Sequence, residues 1–214
     1  MISVSREKEI VQLSTEYGTP LRQRHVLDVN QQTYDFWKAH KRFGEVVLFI
    51  RRHNGNIILH TKSFYPAGAL RVPSGTILEQ ESLLDAVYRE TREETGLQVC
   101  VERFLAVLEF EFNCQGYAIY IPSYLFLLRE LQGKLQVQDV HERIAAFSEV
   151  PLTALHAVAE RLETLPSEWQ DWGRFRGIPH RVAAELLNPT GRATPGDESQ
   201  WNEACQKSSM TSSL

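Results

Sequence analysis

The sequence predicts a mixed α/β fold around one hydrophobic core. Three observations carry that reading. Two pairs of β-rich runs are each joined by a short turn. A segment between the pairs returns its apolar residues at the helical period. The composition, 43% apolar and 23% charged over 214 residues, is that of a globular chain with one main domain.

Residues Val4 to Tyr17 set Ile10, Val11 and Leu13 among charges and predict a short helix, ended by Gly18-Thr19-Pro20. Glu45 to Arg52 and Asn56 to Thr61 are β-rich runs on either side of His53-Asn54-Gly55, and Asn-Gly is a strong hairpin signal, so two antiparallel strands are expected. After the Gly/Pro-rich FYPAGALRVPSG comes a helix from Ser82 to Thr95. Ser82 with Asp85 resembles a capping box, and Gly96 stands at the stop position. Val101 to Phe112 and Tyr117 to Arg129 flank Asn113-Cys114-Gln115-Gly116 as a second strand pair, with Pro122 pointing to an edge or a bulge. Leu152 to Leu165 and Arg181 to Leu187 regain the helical period, with Pro166 and Pro179 as breaks between two C-terminal helices. Beyond Asn188 large apolar residues almost vanish, so a disordered tail is expected over residues 188–214.

Lys and Arg number 23 against 27 Asp and Glu, a formal charge of -4 with no like-charge block, which disfavours a dedicated nucleic-acid binder. The N-terminus lacks the apolar core of a signal peptide and no apolar run is long enough to span a bilayer, so a cytoplasmic protein without a membrane partner is expected. Cys100, Cys114 and Cys205 are odd in number, widely spaced and without CxxC pairing, which predicts reduced thiols rather than disulfides or zinc. The chain has no Walker-type phosphate loop, no GxSxG and no HExxH.

On the helix from Ser82 to Thr95, Leu84, Val87, Tyr88 and Thr91 share one face, while Glu90, Glu93 and Glu94 fall within a neighbouring arc of about 100°. Carboxylates so placed raise one another's pKa unless a cation or guanidinium lies between them. An oxygen-only cluster suits a hard divalent ion, Mg²⁺ or Mn²⁺, better than zinc. The plain alternative is a solvated face laced by pairs to Arg89 and Arg92.

The longer run decides between them. Gly75, five residues, Glu81, seven residues, Arg89-Glu90, two residues, Glu93-Glu94, one residue, then Gly96-Leu97 closely resembles the Nudix box of the Nudix hydrolase family. Seven fixed identities arise by chance on the order of 10⁻⁹ times per start position. Thr91 stands where the family prefers an aliphatic residue, and Ser74 and Gln80 replace common glycines. Thr91 falls on the core side, where its methyl can pack and its hydroxyl bond back to a carbonyl.

The resemblance implies a Nudix-type α/β/α sandwich with a mixed sheet, and a Mg²⁺-dependent (Mn²⁺ as alternative) pyrophosphohydrolase that cleaves a diphosphate linkage. Its substrate would be a nucleoside diphosphate derivative of the ADP-ribose, sugar nucleotide, dinucleotide or NTP class. It implies Glu90, Glu93 and Glu94 as metal ligands, Glu93 and Glu94 as catalytic carboxylates, and Arg89 as the residue that holds them by ion pairs. Glu81 would act through the metal shell or Arg89, and Gly75 would let the loop approach closely. One acidic residue from a later loop is expected as base or extra ligand. Glu142 is preferred over Asp139, Glu109 and Glu111, and His141 is not counted as catalytic. Trp169 to Arg181 interleaves aromatics with Arg174, Arg176 and Arg181, which suits base stacking and phosphate clasping but better suits helix packing. Trp37 and Phe43 are read with the same caution.

The expected organisation is an N-terminal helical or extended addition over 1–43, a Nudix domain over 44–165, a C-terminal helical extension over 166–187 and the tail. A homodimer is among the states the family resemblance leaves open. The competing function is a non-catalytic Nudix-like nucleotide-binding or regulatory module. Retention of all three box glutamates weighs against it, since their repulsion is a cost without a metal.

Overall fold

The structure, a computed structural model, describes residues 2–39 and 43–187. In chain order it contains α1 (Val4–Tyr17), β1 (Leu21–Asp28), α2 (Gln31–Ala39), β2 (Glu45–Arg51), β3 (Ile57–Lys62), β4 (Ser74–Thr76) and α3 (Leu83–Thr95). There follow β5 (Leu97–Cys114), β6 (Tyr117–Gly133), β7 (Ile144–Val150), α4 (Leu155–Glu163) and α5 (Gln170–Leu187). The strands of the described residues form one mixed sheet in the order β1-β5-β6-β2-β3-β7, with β4 against β2. β1 runs parallel to β5 and β2 parallel to β6, and the other pairings are antiparallel.

Alternation along β2 shows why two helical layers form. Val47 and Phe49 face a core shared with Trp37 of α2, Leu155 of α4 and Phe175 of α5, whereas Val46, Leu48 and Ile50 face Ile10 and Leu13 of α1 and Leu83 and Val87 of α3. A strand buried on both faces reads as a continuous apolar run, as EVVLFIR does. The result is the expected α/β/α sandwich. Residues 4–39 contribute a helix to each layer and the strand β1 to the sheet, so this segment is woven into the core.

The first hairpin closes as expected, with Arg52 N–H donating to Asn56 O and Gly55 at a positive φ of 85°. Pro122 stands at a local edge rather than at a bulge, because residues 117–122 of β6 pair with β5 alone and the bulges of β6 fall elsewhere. It is tolerated because it sits one residue before β6 begins to pair with β2, at Ser123. Pro179 does not separate two helices but lies within α5. Tertiary packing overrides the helix-breaking tendency. An added Cβ at Gly173 would lie 2.1 Å from Leu162 O and one at Gly177 3.1 Å from Ala159 O, so the two glycines let α5 press on α4 and hold the helix through the proline. Cys114 is a free buried thiol. Cys205 and the expected tail lie outside the described residues, among which no helix is long and apolar enough to cross a membrane.

His180 of α5 ties this layer to the loop before β4. Its Nε2 accepts from Val72 N–H at 3.1 Å, and its Nδ1 lies 2.8 Å from Arg176 O, a pairing that needs the neutral ring with Nδ1–H as donor. Burial, the leading cause, pushes its pKa down from 6.5 to about 4. A histidine lowered on folding stabilises above its unfolded pKa and loses that contribution as pH falls from about 6.5 to about 4. Between pH 7.5 and 4, wild type should therefore lose about 3 kcal/mol more stability than His180→Gln in urea melts. Parallel losses in the two proteins would show that His180 is not the group that titrates.

Candidate active site

The box helix α3 forms as the sequence dictates. Ser82 Oγ accepts from Asp85 N–H at 3.1 Å, and Gly96 takes the left-handed conformation at φ 70° with its N–H bonded to Arg92 O. Thr91 is core-facing as expected, but its hydroxyl finds no partner, and it is Thr95 Oγ1 that bonds back, to Thr91 O. Gln80, in place of a common glycine, adopts a left-handed φ of 64°.

Arg89 is the hub of the cluster. Its Nε and Nη2 grip Glu81 Oε1 and Oε2 at 2.7 and 2.8 Å, its Nη1 donates to Glu90 Oε1 at 2.7 Å and Glu93 Oε2 at 3.0 Å, and Nη2 also reaches Thr76 O at 2.9 Å. This fork holds Glu81 below the usual carboxylate range, chiefly through the Arg89 hydrogen bonds. Glu90 is pushed up to about 7, with burial the largest cause and Arg89 opposing it. Glu94, fully buried, is also raised, again chiefly by desolvation.

Gly75 stands directly against Glu90. A Cβ there would lie 1.6 Å from Glu90 Cδ, so only glycine lets the β4 backbone meet this carboxylate. The neighbouring Ser74 N–H donates to Glu94 Oε2 at 3.0 Å. Lys62, at the end of β3, places Nζ 3.1 Å from Glu94 Oε1 and 2.5 Å from Glu142 Oε2. Glu142 arrives there because Gln138 and Asp139 N–H groups donate to Glu93 O at the end of α3, and Asp139 then caps the short turn Val140–Glu142.

The sequence-derived acids therefore separate. Glu90, Arg89, Gly75 and Glu142 line a cleft of about 700 Å³, with Glu94 buried beside it. Glu93 is held on Arg89 and, like Glu81, is not among the lining residues. Asp139 is a cap and Glu111 pairs with Arg24; neither lines the cleft, nor does Glu109. Two cationic side chains lie among the carboxylates: Arg89 pairs with Glu90 and Glu93, and Lys62 with Glu94. As they stand, no three His, Cys, Asp or Glu side chains among the described residues converge as a ready-made metal group. The donors nevertheless fit a hard divalent ion: they are all carboxylate oxygens, and the buried Glu94 Oε1 has no hydrogen bond despite Lys62 nearby.

Part of the cleft lining is aromatic. Phe36 of α2, Phe64 and Tyr65 of the loop after β3, and Trp169 and Trp172 near the start of α5 line it. Trp172 lies 4.7 Å from Tyr65 and 5.4 Å from Trp169 between ring centroids, so the tryptophans both pack and present surface. Trp37 stacks on Phe112 in the core. Of the three arginines singled out by sequence, Arg174 bonds Asp28 O and Arg181 pairs with Glu163, while Arg176 turns into the cleft. Lys62 and Arg71 were not legible beforehand; neither has a local spacing to the box.

With this geometry in place, comparison with known proteins defines the class. The family model of the NUDIX domain matches residues 40–172, more than half of the chain. The low-salt glycan biosynthesis protein Agl8 of Haloferax volcanii is 32% identical over 115 residues, covering 51% of this chain and 73% of that protein. Among solved structures the chain is similar to a MutT protein from Methanosarcina mazei, at 21% identity and TM-score 0.43 over 67% of this chain and 94% of that one. It is also similar to a UDP-X diphosphatase, at 18% identity and TM-score 0.45 over 87% and 71%. The chain belongs to the Nudix hydrolase family.

Proposed function

We propose that this chain is a divalent-metal-dependent hydrolase that cleaves the diphosphate linkage of a nucleoside diphosphate derivative. The observation that carries the reading is the pair of buried carboxylates, Glu90 and Glu94, set against Gly75 and Ser74 at a cleft that is partly lined by aromatic rings. A bare carboxylate pair would repel a diphosphate, which supports a bound cation as part of the working site. When bound, Mg²⁺ or Mn²⁺ would neutralise phosphate charge and lower the pKa of the attacking water. Glu90 and Glu94 would hold it, with Glu93 or Glu142 as further ligand.

Arg89 holds Glu90 and Glu93 through one guanidinium, so that the cleft-lining Glu90 would meet the substrate already oriented. Glu142, which lines the cleft, would take the proton from water. The aromatic wall would stack the flat ring or sugar face of the substrate, and 700 Å³ is ample for such a molecule.

Phosphate release, coupled to a phosphatase, from ADP-ribose, sugar nucleotides, dinucleoside polyphosphates, NADH and (d)NTPs, with Mg²⁺ or Mn²⁺ and with chelator, tests this. Turnover of one class that requires metal is the expected result. No turnover across the panel, with metal-independent thermal stabilisation by one ligand, would replace the hydrolase by a nucleotide-binding module.

A further inference from the structure

Two arginines from unrelated elements meet on the cleft wall. Arg71 precedes β4 and Arg176 lies in α5, and both are more than nine-tenths buried. Arg71 donates from Nε to Tyr65 Oη at 2.9 Å and from Nη1 to Val72 O at 2.9 Å and Ser74 Oγ at 2.8 Å. Arg176 donates from Nη1 to both oxygens of Glu45, at 2.9 and 2.8 Å, and reaches the same Ser74 Oγ at 3.4 Å. The shared hydroxyl sets the two guanidinium groups side by side.

Their donors are not used up. All of these Arg176 bonds leave from one nitrogen, and its Nε is buried without a partner. The bonds of Arg71 leave from Nε and Nη1, and among the described residues Nη2 has no hydrogen-bond partner. Buried guanidinium donors are costly to leave idle, and a chain of net charge -4 has no general surplus of cations to spend on such a place. Glu45 pairs directly with Arg176, whereas Arg71 bonds neutral oxygens and has Glu94 and Glu45 as its nearby carboxylates.

We propose that Arg71 and Arg176 form a phosphoryl-binding subsite, which takes the phosphate of the diphosphate that is not held at Glu90 and Glu94. The inference rests on the hydrolase reading and deepens it by giving the substrate a direction. Ser74 links the two halves: its Oγ accepts from both arginines while its N–H donates to Glu94, so the subsite lies one residue from the carboxylates. A phosphoryl group, with three peripheral oxygens, can engage both guanidinium forks at once, whereas a carboxylate matches only one. Beyond the arginines the substrate runs on to Tyr65 and Trp172, so its ring or sugar lies on the aromatic side.

Calorimetry with inorganic pyrophosphate in excess EDTA tests the subsite apart from any metal. Without a divalent ion the glutamates repel the anion, so binding under chelation reports the arginines. Wild type is expected to bind; Arg71→Gln, and Arg176→Lys, which keeps a cation against Glu45, should each weaken binding about tenfold or more. Steady-state kinetics on the substrate found above should show KM raised by a similar factor and kcat changed less than about threefold. No pyrophosphate binding by wild type under chelation, or unchanged affinity and KM in both folded variants, would overturn the subsite while leaving metal-dependent hydrolysis intact. Pyrophosphate binding that the variants weaken, in a protein that hydrolyses nothing, would keep the subsite and remove the hydrolase reading.

Discussion

Glu94→Gln should reduce metal-dependent turnover by roughly 10² to 10³-fold while leaving the protein folded. The carboxylate is fully buried, with Oε2 receiving the Ser74 N–H and Oε1 beside Lys62 Nζ. Glutamine keeps the shape and can still accept from Ser74, so the β4 backbone stays in place. It removes the one buried negative charge that Ser74, Lys62 and a divalent ion would share. The desolvation that raises the Glu94 pKa is also relieved, which offsets the lost Lys62 pair, so the melting temperature should move by only a few degrees. Glu93→Gln makes the comparison: its side chain is one-third exposed and outside the cleft lining, and its loss should cost about tenfold. Equal losses in the two variants, or a Glu94→Gln protein with wild-type kinetics, would remove Glu94 from its assigned place.

The box could be read from the sequence because its geometry is local. Helical periodicity alone placed Glu90, Glu93 and Glu94 in one arc, Ser82 and Gly96 marked the ends, and the turn at Asn54-Gly55 fixed the first hairpin. What periodicity could not show was how the acids divide. Glu90 and Glu94 turn inward while Glu93 remains at the rim, because the loop carrying Ser74 and Gly75 covers only the first two. Glu142 was reachable as a nearby acid on a later loop, yet its arrival depends on Gln138 and Asp139 N–H groups finding Glu93 O, a long-range match with no sequence period. The same holds for Lys62, thirty-two positions before Glu94, and for the meeting of Arg71 with Arg176. Pro179 looks like a break in the sequence for a related cause: the contact of Gly173 and Gly177 with α4 holds the helix, and local propensity carries no information about that neighbour.

Gly75→Ala should be nearly as damaging to activity as loss of Glu90 itself, on the order of 10²-fold, with little change in stability. The new methyl would sit 1.6 Å from Glu90 Cδ and 2.0 Å from each carboxylate oxygen, closer than atoms can approach. Two responses are open to the protein: β4 can move away from α3, or the carboxylate can swing. The backbone at Ser74 and Gly75 is fixed by pairing with β2 and by the Ser74 N–H bond to Glu94, whereas the Glu90 tip is the end of a flexible side chain held by one Arg89 nitrogen at 2.7 Å. The carboxylate yields, the fold survives, and the oxygen geometry offered to a cation is lost. A shorter acid relieves the clash, so Glu90→Asp, harmful alone, should be less harmful in the Gly75→Ala background, and the double variant should be more active than the product of the two single effects. Kinetics and Mn²⁺ affinity of the four proteins measure that coupling. Strict additivity, or a melting temperature that collapses with Gly75→Ala, would mean that the glycine serves the backbone rather than clearance for Glu90.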